Sequence, residues 1–353
     1  MSIKHIVSLS GGKDSAATLA LAIERFGVEN VEAITCDTDN EHDFTYTYID
    51  YLAAVTGVKI TVLKANFDME IARKRKFVAN DQRTRREYKT EPVFDADGKP
   101  VPQRDGFGNV VLNKKGTPVQ KTRKIGGGHR VRWSNKAKRR ALAVLYPTGN
   151  SFLDLCIWKG KFPSRKSQFC TEHLKRNLAV EYQLDLVDQG YTVVSWQGVR
   201  RDESENRKNA LKFEVIGPRL YAYRPLVDWT APDVFAYCQK RGIKPNPLYL
   251  EGMSRVGCMP CINAKKEEIR QIASRFIEHM GKVHNWEKLV GLASKRGAST
   301  FFPAPGETRT AVERGNIWQV IEWSRTTRGG KQFSLLEQLD EPTACSSSYG
   351  LCG

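Results

Sequence analysis

The stretch Ser8 to Gly27, SLSGGKDSAATLALAIERFG, decides how the chain is read. A short apolar run, Ile6-Val7, leads into two glycines, a lysine, an aspartate and a serine, and then a helical pattern begins. Glycines let the backbone come close to a ligand, and N–H groups at a helix start form a cradle for an anion. Lys13 adds a cation, and the hydroxyls of Ser10 and Ser15 can donate. The spacing is neither the Walker A form nor the GxGxxG dinucleotide fingerprint. The expectation is a phosphate held by Ser10, Gly11, Gly12, Lys13, Asp14 and Ser15 at the start of a helix.

Residues 4–63 alternate between the two periodicities. HIVSLS, VEAITCDT and VKITVLK read as strands, and Lys13–Arg25 and Phe44–Thr56 as helices. Such alternation implies βαβ units, so the expected class is α/β: a parallel sheet with helices on both faces. Right-handed crossovers place the strand C-terminal ends along one edge, where open α/β sheets take their ligands. The second such end, CDTDNEHD, gathers Asp37, Asp39, Glu41 and His42. That loop suits a nucleotide ribose or a Mg²⁺ ion; the plainer reading is a solvated loop with Asp43 or Thr45 capping the next helix.

The chain has 353 residues, ordinary hydrophobic and charged content (40% and 27%), and eight cysteines. No apolar run approaches the roughly 20 residues that span a bilayer, and no signal pattern opens the chain. A cytoplasmic protein with reduced or metal-bound thiols and no membrane partner is expected. The net charge is +17, and it is concentrated. Arg73 to Arg140 holds 21 Lys or Arg against 6 Asp or Glu, which leaves the remainder nearly neutral. Such a block attracts polyanions, nucleic acid above all, unless it is only a solvated insertion. Turn signals within it (DADG, DGFGN, NKKG) suggest one or two hairpins forming a basic flap, with no internal repeat evident. The chain divides provisionally into 1–72 (nucleotide-binding half), 73–140 (basic insertion), 141–262 (second α/β half) and 263–353 (helical region and cysteine-bearing tail).

In the second half, WQGVRRDESENRK (Trp196–Lys208) places Arg200, Arg201 and Arg207 around a strand end, where guanidinium forks suit a phosphate or sulfate. RPLVDW follows from Arg224, and GMSRVGCMPC spans Gly252 to Cys261. Together these strings resemble the sulfonucleotide (PAPS/APS) reductase family, and SGGKDS resembles the PP-loop of the ATP pyrophosphatase superfamily. The resemblance covers residues 4–60 and 165–265.

The resemblance implies a Rossmann-like PP-loop fold that binds ATP with Mg²⁺ and releases pyrophosphate. Lys13, Asp14, Arg200, Arg201 and Arg207 would be catalytic, with Asp37, Asp39 and Glu41 at the nucleotide. It also implies a 4Fe-4S cluster on Cys170, Cys258 and Cys261. The fourth ligand would be Cys156, Cys345 or Cys352, or the fourth iron would stay open. APS-type reductases carry a Cys-Cys pair where this chain has Phe169-Cys170. The unmodified loop and the basic block favour an ATP-dependent sulfurtransferase acting on DNA or tRNA, with a sulfur donor such as a cysteine desulfurase. This matches the ATP pyrophosphatases of DNA phosphorothioation and tRNA thiolation. The alternatives are a thiol-dependent PAPS/APS reductase, in which Cys345 or Cys352 attacks the sulfonucleotide, and a non-catalytic nucleotide-sensing nucleic-acid-binding protein. His173 and Lys175 are expected on a solvated helix face, Cys36 and Cys238 in packing. Trp133, Trp158 and Trp196 are expected in the core rather than stacked on bases.

Overall fold

Apolar strand residues and glycine-punctuated helices set the architecture. The computed structural model describes residues 2–303, 316–327 and 332–333. In chain order the strands are β1 (Ile3–Leu9), β2 (Val31–Asp37), β3 (Ile60–Lys64), β4 (Arg86–Pro92), β5 (Thr122–Arg130), β6 (Thr192–Trp196), β7 (Phe213–Gly217) and β8 (Leu220–Tyr223). The helices that matter here are α1 (Lys13–Phe26), α2 (Asp43–Thr56), α3 (Asp68–Ala79), α4 (Asn135–Leu142), α5 (Ser151–Lys159), α6 (Phe169–Thr171) and α7 (Asn177–Asp188). After them come α8 (Ala231–Lys240), α9 (Pro247–Leu250), α10 (Lys266–Arg275), α11 (Ile277–Ala293) and α12 (Ile317–Ser324).

Six strands form one sheet in the order β3-β2-β1-β6-β8-β7, parallel except for the antiparallel edge strand β7. Both faces are covered, as a parallel sheet requires. On one face Leu19, Leu52 and Val234 from α1, α2 and α8 pack on Val7, Ala33 and Trp196. On the other, Leu186 of α7 packs on Ile6, Ile34, Val193 and Leu220. Trp196 is thereby sealed, and its indole N–H donates to His5 Nδ1 at 3.1 Å.

A second core lies beside the sheet. Phe152 and Leu155 of α5 meet Trp286 and Val290 of α11 and Ile317 and Ile321 of α12, joined by Val78 of α3 and by Trp133 and Ala137 around α4. The described part of 263–353 therefore shares a core with residues from 67 to 162. The boundary expected at residue 73 falls within α3.

The basic segment projects as an arm. β4 and β5 pair antiparallel from Arg86 opposite Arg130 to Pro92 opposite Thr122, and every residue of β5 is exposed. Beyond them the chain repeats one unit three times, FDADGKPV (94–101), RDGFGNVV (104–111) and LNKKGTPV (112–119), contrary to the expectation of no repeat. The first residue of each unit bridges the seventh: Phe94 with Pro100, Arg104 with Val110, Leu112 with Pro118. In each turn the second side chain accepts two backbone N–H groups. Asp95 takes those of Asp97 and Lys99, Asp105 those of Phe107 and Asn109, and Asn113 those of Lys115 and Thr117.

Two closed rings of backbone hydrogen bonds bind the three units. Val101 N donates to Val93 O, Val93 N to Lys121 O, and Lys121 N back to Val101 O (3.0, 2.9 and 2.7 Å). Gln103, Val119 and Val111 close the second ring in the same way (2.7, 2.9 and 2.8 Å). The head has pseudo-threefold symmetry. The repeat was hard to see because its units are short, share few identities, and are spaced ten and then eight residues apart.

Candidate nucleotide site and cysteine cluster

Strand order reverses at β1, which pairs with β2 on one side and β6 on the other. The crevice at such a switch point is where doubly wound sheets bind ligands. β1 delivers the glycine loop there, and β6 delivers Gln197 to Arg200.

The loop is tied from within. Ser15 Oγ donates to Gly12 O at 2.8 Å and accepts the N–H of Ser10 at 3.2 Å. Gly11 has φ +72°, and a Cβ there would stand 2.6 Å from Thr45 Cγ2. Asn246 donates to Gly11 O at 3.0 Å, and the Lys13 N–H donates to Tyr249 Oη at 3.2 Å, so α9 and its cap brace the loop from outside.

Lys13, Asp14 and Arg200 form a chain of charge. Lys13 Nζ lies 2.9 Å from Asp14 Oδ2, and Arg200 Nε lies 2.5 Å from Asp14 Oδ1. Arg200 is 3% exposed and also pairs with Asp202. Gly198 makes this approach possible, because a Cβ there would stand 2.8 Å from both the carbonyl carbon and oxygen of Asp14. Arg201 and Arg207 are engaged elsewhere. Arg201 donates to Ala210 O and pairs with Asp228, and Arg207 pairs with Glu203. Of the three arginines, Arg200 is the one brought to the loop.

The second loop divides its carboxylates. Asp37 accepts from Tyr46 Oη at 2.8 Å, and Lys64 reaches both Asp37 (3.4 Å) and Asp39 (2.6 Å). Asp39 also accepts the Ser151 N–H at the start of α5, 2.7 Å away. Burial pushes the Asp39 carboxyl up, but Lys64 and Ser151 outweigh it and hold it below the ordinary range. The cap of α2 is neither Asp43 nor Thr45. It is His42, whose Nδ1 accepts the Phe44 N–H at 3.0 Å.

Glu41 turns toward the CxxC segment. Its carboxylate accepts from Thr38 Oγ1 at 2.8 Å and from Cys258 Sγ at 3.4 Å, and lies 3.9 Å from Lys175 Nζ. Met259 N donates to Asn40 O, and Asn40 donates to Pro260 O, which clips the two loops together. Lys175 Nζ stands 3.6 Å from Cys258 Sγ, and Arg255 Nη2 stands 3.7 Å from Cys261 Sγ. The expectation of a solvated face for His173 and Lys175 holds only in part: the Lys175 side chain is 39% exposed, yet both side chains have partners in the protein. Lys175 turns inward to a thiol and a carboxylate, and His173 packs edge-on against Trp158 at 5.2 Å.

Burial pushes the Cys258 thiol up to about 12. The sulfur of Cys258, to which Lys175 donates, and then the Glu41 carboxylate favour the ammonium form of Lys175 against burial. Burial also raises the thiols of Cys170 and Cys156. Cys156 lies in the second core with Cys170 and Cys261 packed against that core, while Lys175 stands beside Cys258 and Arg255 beside Cys261. Cys345 and Cys352 lie outside the described residues. Cys36 is half-buried and Cys238 buried, as packing requires.

Among the described residues, one group of His, Cys, Asp or Glu brings three ligand atoms within 4.8 Å of one another: His42, Glu278 and His279. His42 Nδ1 is spent on the Phe44 N–H, so its neutral ring carries the proton on Nε2 and neither nitrogen offers a free lone pair. The two imidazoles stack at 5.0 Å, and burial holds both below their ordinary pKa. This group is packing.

Asn246, Tyr249, Gly198 and Arg255 were not singled out from the sequence. The first two sit in NPLY, and Gly198 in QGVRR, a string that carried the family resemblance without showing which residue touches the loop.

A glycine-loop α/β sheet with the loop braced at its switch point defines a PP-loop-type, Rossmann-like fold. The chain belongs to the phosphoadenosine phosphosulfate reductase domain family, whose description matches residues 4–264. It is 40% identical over 361 residues, covering 99% of this chain and 96% of the relative, to an uncharacterized 37.8 kDa protein of Escherichia phage 186. Shorter matches reach named enzymes. An adenosine 5'-phosphosulfate reductase of Burkholderia cepacia is 40% identical over 68 residues, 19% of this chain and 27% of that one. A 7-cyano-7-deazaguanine synthase of Chromobacterium violaceum is 43% identical over 60 residues, 17% and 26% respectively. Among solved structures, the phosphoadenylyl-sulfate reductase of Candida auris aligns over 74% of this chain and 83% of its own, at 14% identity and TM-score 0.38. Among the described residues no helix is long and apolar enough to cross a membrane.

Proposed function

We propose that the chain is an ATP-dependent sulfurtransferase that activates an oxygen of a nucleic acid. The observation that carries this reading is the Lys13–Asp14–Arg200 chain on an unmodified SGGKDS loop, which sets a lysine at the helix start beside the switch point. In the proposed reaction the acceptor oxygen attacks the α-phosphorus of ATP and pyrophosphate leaves. The terminal sulfur of a persulfide then attacks the adenylated acceptor and AMP leaves, and a thiol reductant cleaves the resulting S–S bond to leave the sulfur on the acceptor. Lys13 and the backbone N–H groups at the start of α1 stabilise the charge that grows on the leaving pyrophosphate. Asp14 and Arg200 hold Lys13 in place. Mg²⁺ enters with the phosphates, since Asp37, Asp39 and Glu41 are committed to protein partners and do not form a preassembled cage.

The thiols fit a 4Fe-4S cluster better than zinc. The donor set is all sulfur, two cations stand beside it, and the thiols are not closed to the spacing of a single tetrahedral ion. Cys170, Cys258 and Cys261 would hold it, with Cys156 as the fourth thiol of the described structure. When bound, such a cluster supplies a rigid iron–sulfur surface next to the nucleotide crevice. Lys175 and Arg255 offset its negative charge. The arm, rich in Lys and Arg, supports nucleic acid as the acceptor.

The test is pyrophosphate release from ATP in the presence of DNA or tRNA and a cysteine desulfurase as sulfur source. Turnover that requires Lys13 is expected. Sulfite release from PAPS with a dithiol, without ATP turnover, would overturn the reading in favour of a reductase, which the short matches to APS reductases keep as the second reading.

A further inference from the structure

The arm ends in a ring that the packing of the protein leaves bare. Phe107, third residue of the middle turn, is 94% exposed. The turn that carries it is fixed. Asp105 accepts the N–H groups of both Phe107 and Asn109, Gly108 takes φ +89°, and the Arg104 guanidinium closes on Gly108 O at 2.7 Å. A rigid turn with a bare aromatic at its tip loses little entropy when that ring is buried against a partner.

The partner's chemistry follows from the surroundings. From Arg85 to Arg132 the arm carries twelve Lys or Arg against five Asp or Glu, with Lys114 and Lys115 in the adjacent turn of the head. A two-stranded β-ribbon fits the major groove of a duplex, and cations along it meet phosphates. An aromatic at the tip of such a ribbon can wedge between bases or stack on an exposed one.

We propose that Phe107 is a base-stacking wedge: the arm tracks a nucleic acid by its cations, and the three-turn head presents Phe107 to an unstacked base. This rests on the reading that nucleic acid is the acceptor. It adds that the arm opens the strand locally as well as holding it. The two closed backbone rings make the head a single rigid unit, so the wedge is braced against the ribbon rather than hung on a loop.

The test uses the full chain and a 2-aminopurine-labelled oligonucleotide, single-stranded and duplex, titrated across a range of salt. Phe107→Ala should weaken binding about 5- to 150-fold, the range expected for loss of one base–aromatic stack. The slope of log affinity against log salt should not change, because no phosphate contact is lost. Phe107→Tyr should restore the affinity, and the 2-aminopurine fluorescence change should vanish in the alanine variant alone. Lys114→Glu with Lys115→Glu should instead reduce the salt slope. The side chain makes no buried contact, so thermal unfolding of Phe107→Ala should match the parent. If the parent binds and Phe107→Ala binds equally well, the wedge is wrong while the nucleic-acid reading stands. If the parent binds neither strand form, both fall. If Phe107→Ala leaves nucleic acid untouched and instead loses a protein partner, the tip is a protein-docking surface.

Discussion

The Nε of Arg200 lies 2.5 Å from Oδ1 of Asp14, joining the strand β6 end to the first turn of α1. Neither group is free to water, and Asp14 is also 2.9 Å from Lys13. Removing one partner from a buried pair leaves the other uncompensated, at a cost of about 3–5 kcal/mol. Arg200→Ala is therefore expected to lower stability by about that amount in urea unfolding. Arg200→Lys should recover only part of it, since a point charge cannot bond Asp14 and Asp202 together.

Lys13→Ala should leave folding close to the parent, because Asp14 keeps Arg200. Pyrophosphate release from ATP should fall by about 10²- to 10³-fold, the usual consequence of losing one donor to a developing anion. A steady-state assay with DNA or tRNA checks this, and an unchanged rate would remove Lys13 from the chemistry.

Gly198→Ala tests the packing that lets Arg200 reach the loop. The added methyl would stand 2.8 Å from the Asp14 carbonyl, and backbone cannot yield as a flexible side chain can. A loss of about 1–3 kcal/mol is expected, with weaker ATP binding measured by calorimetry.

Lys74 gives a pH signature. Its ammonium donates to Ile157 O and Trp158 O at the end of α5, and burial lowers its pKa to about 8. Between about pH 8 and the ordinary lysine value near 10.4, the unfolded chain therefore binds more protons than the folded one. Stability contributed by this group rises with pH across that window and is flat below it. The difference between the parent and Lys74→Met, followed by urea unfolding from neutral to alkaline pH, should show this rise; a flat difference would refute it.

Cys258→Ser and Cys156→Ser separate the cluster from ordinary thiol packing. Anaerobic protein should carry iron and sulfide, and each variant should lose most of both. Iron retained in Cys156→Ser would return the fourth position to the tail cysteines.

The fold was legible because βαβ periodicity is local, and the loop because SGGKDS is a contiguous string. The partners of Lys175 were missed because a lysine five residues beyond Cys170 looks like any solvated helix face. Only the clip between Asn40 and the Met259–Pro260 segment shows that Cys258 and Glu41 wait for it. Arg201 and Arg207 were grouped with Arg200 because sequence proximity says nothing about which guanidinium finds a carboxylate first. The shared core of α3–α5 with α11 and α12 was hidden for the same reason: its contacts join residues more than a hundred positions apart.

The arm leaves the body at Arg86 and returns at Arg130, two residues paired across a single ladder rung. Cutting it out would leave ends already within one strand spacing, about 4.5–5.5 Å between Cα atoms. Its head is closed on itself, by two rings of main-chain bonds and by the Asp95, Asp105 and Asn113 side chains of its own turns. On the proposed nucleic-acid reading, swapping this one cassette should therefore exchange target preference while the glycine-loop crevice and its cysteines stay unchanged.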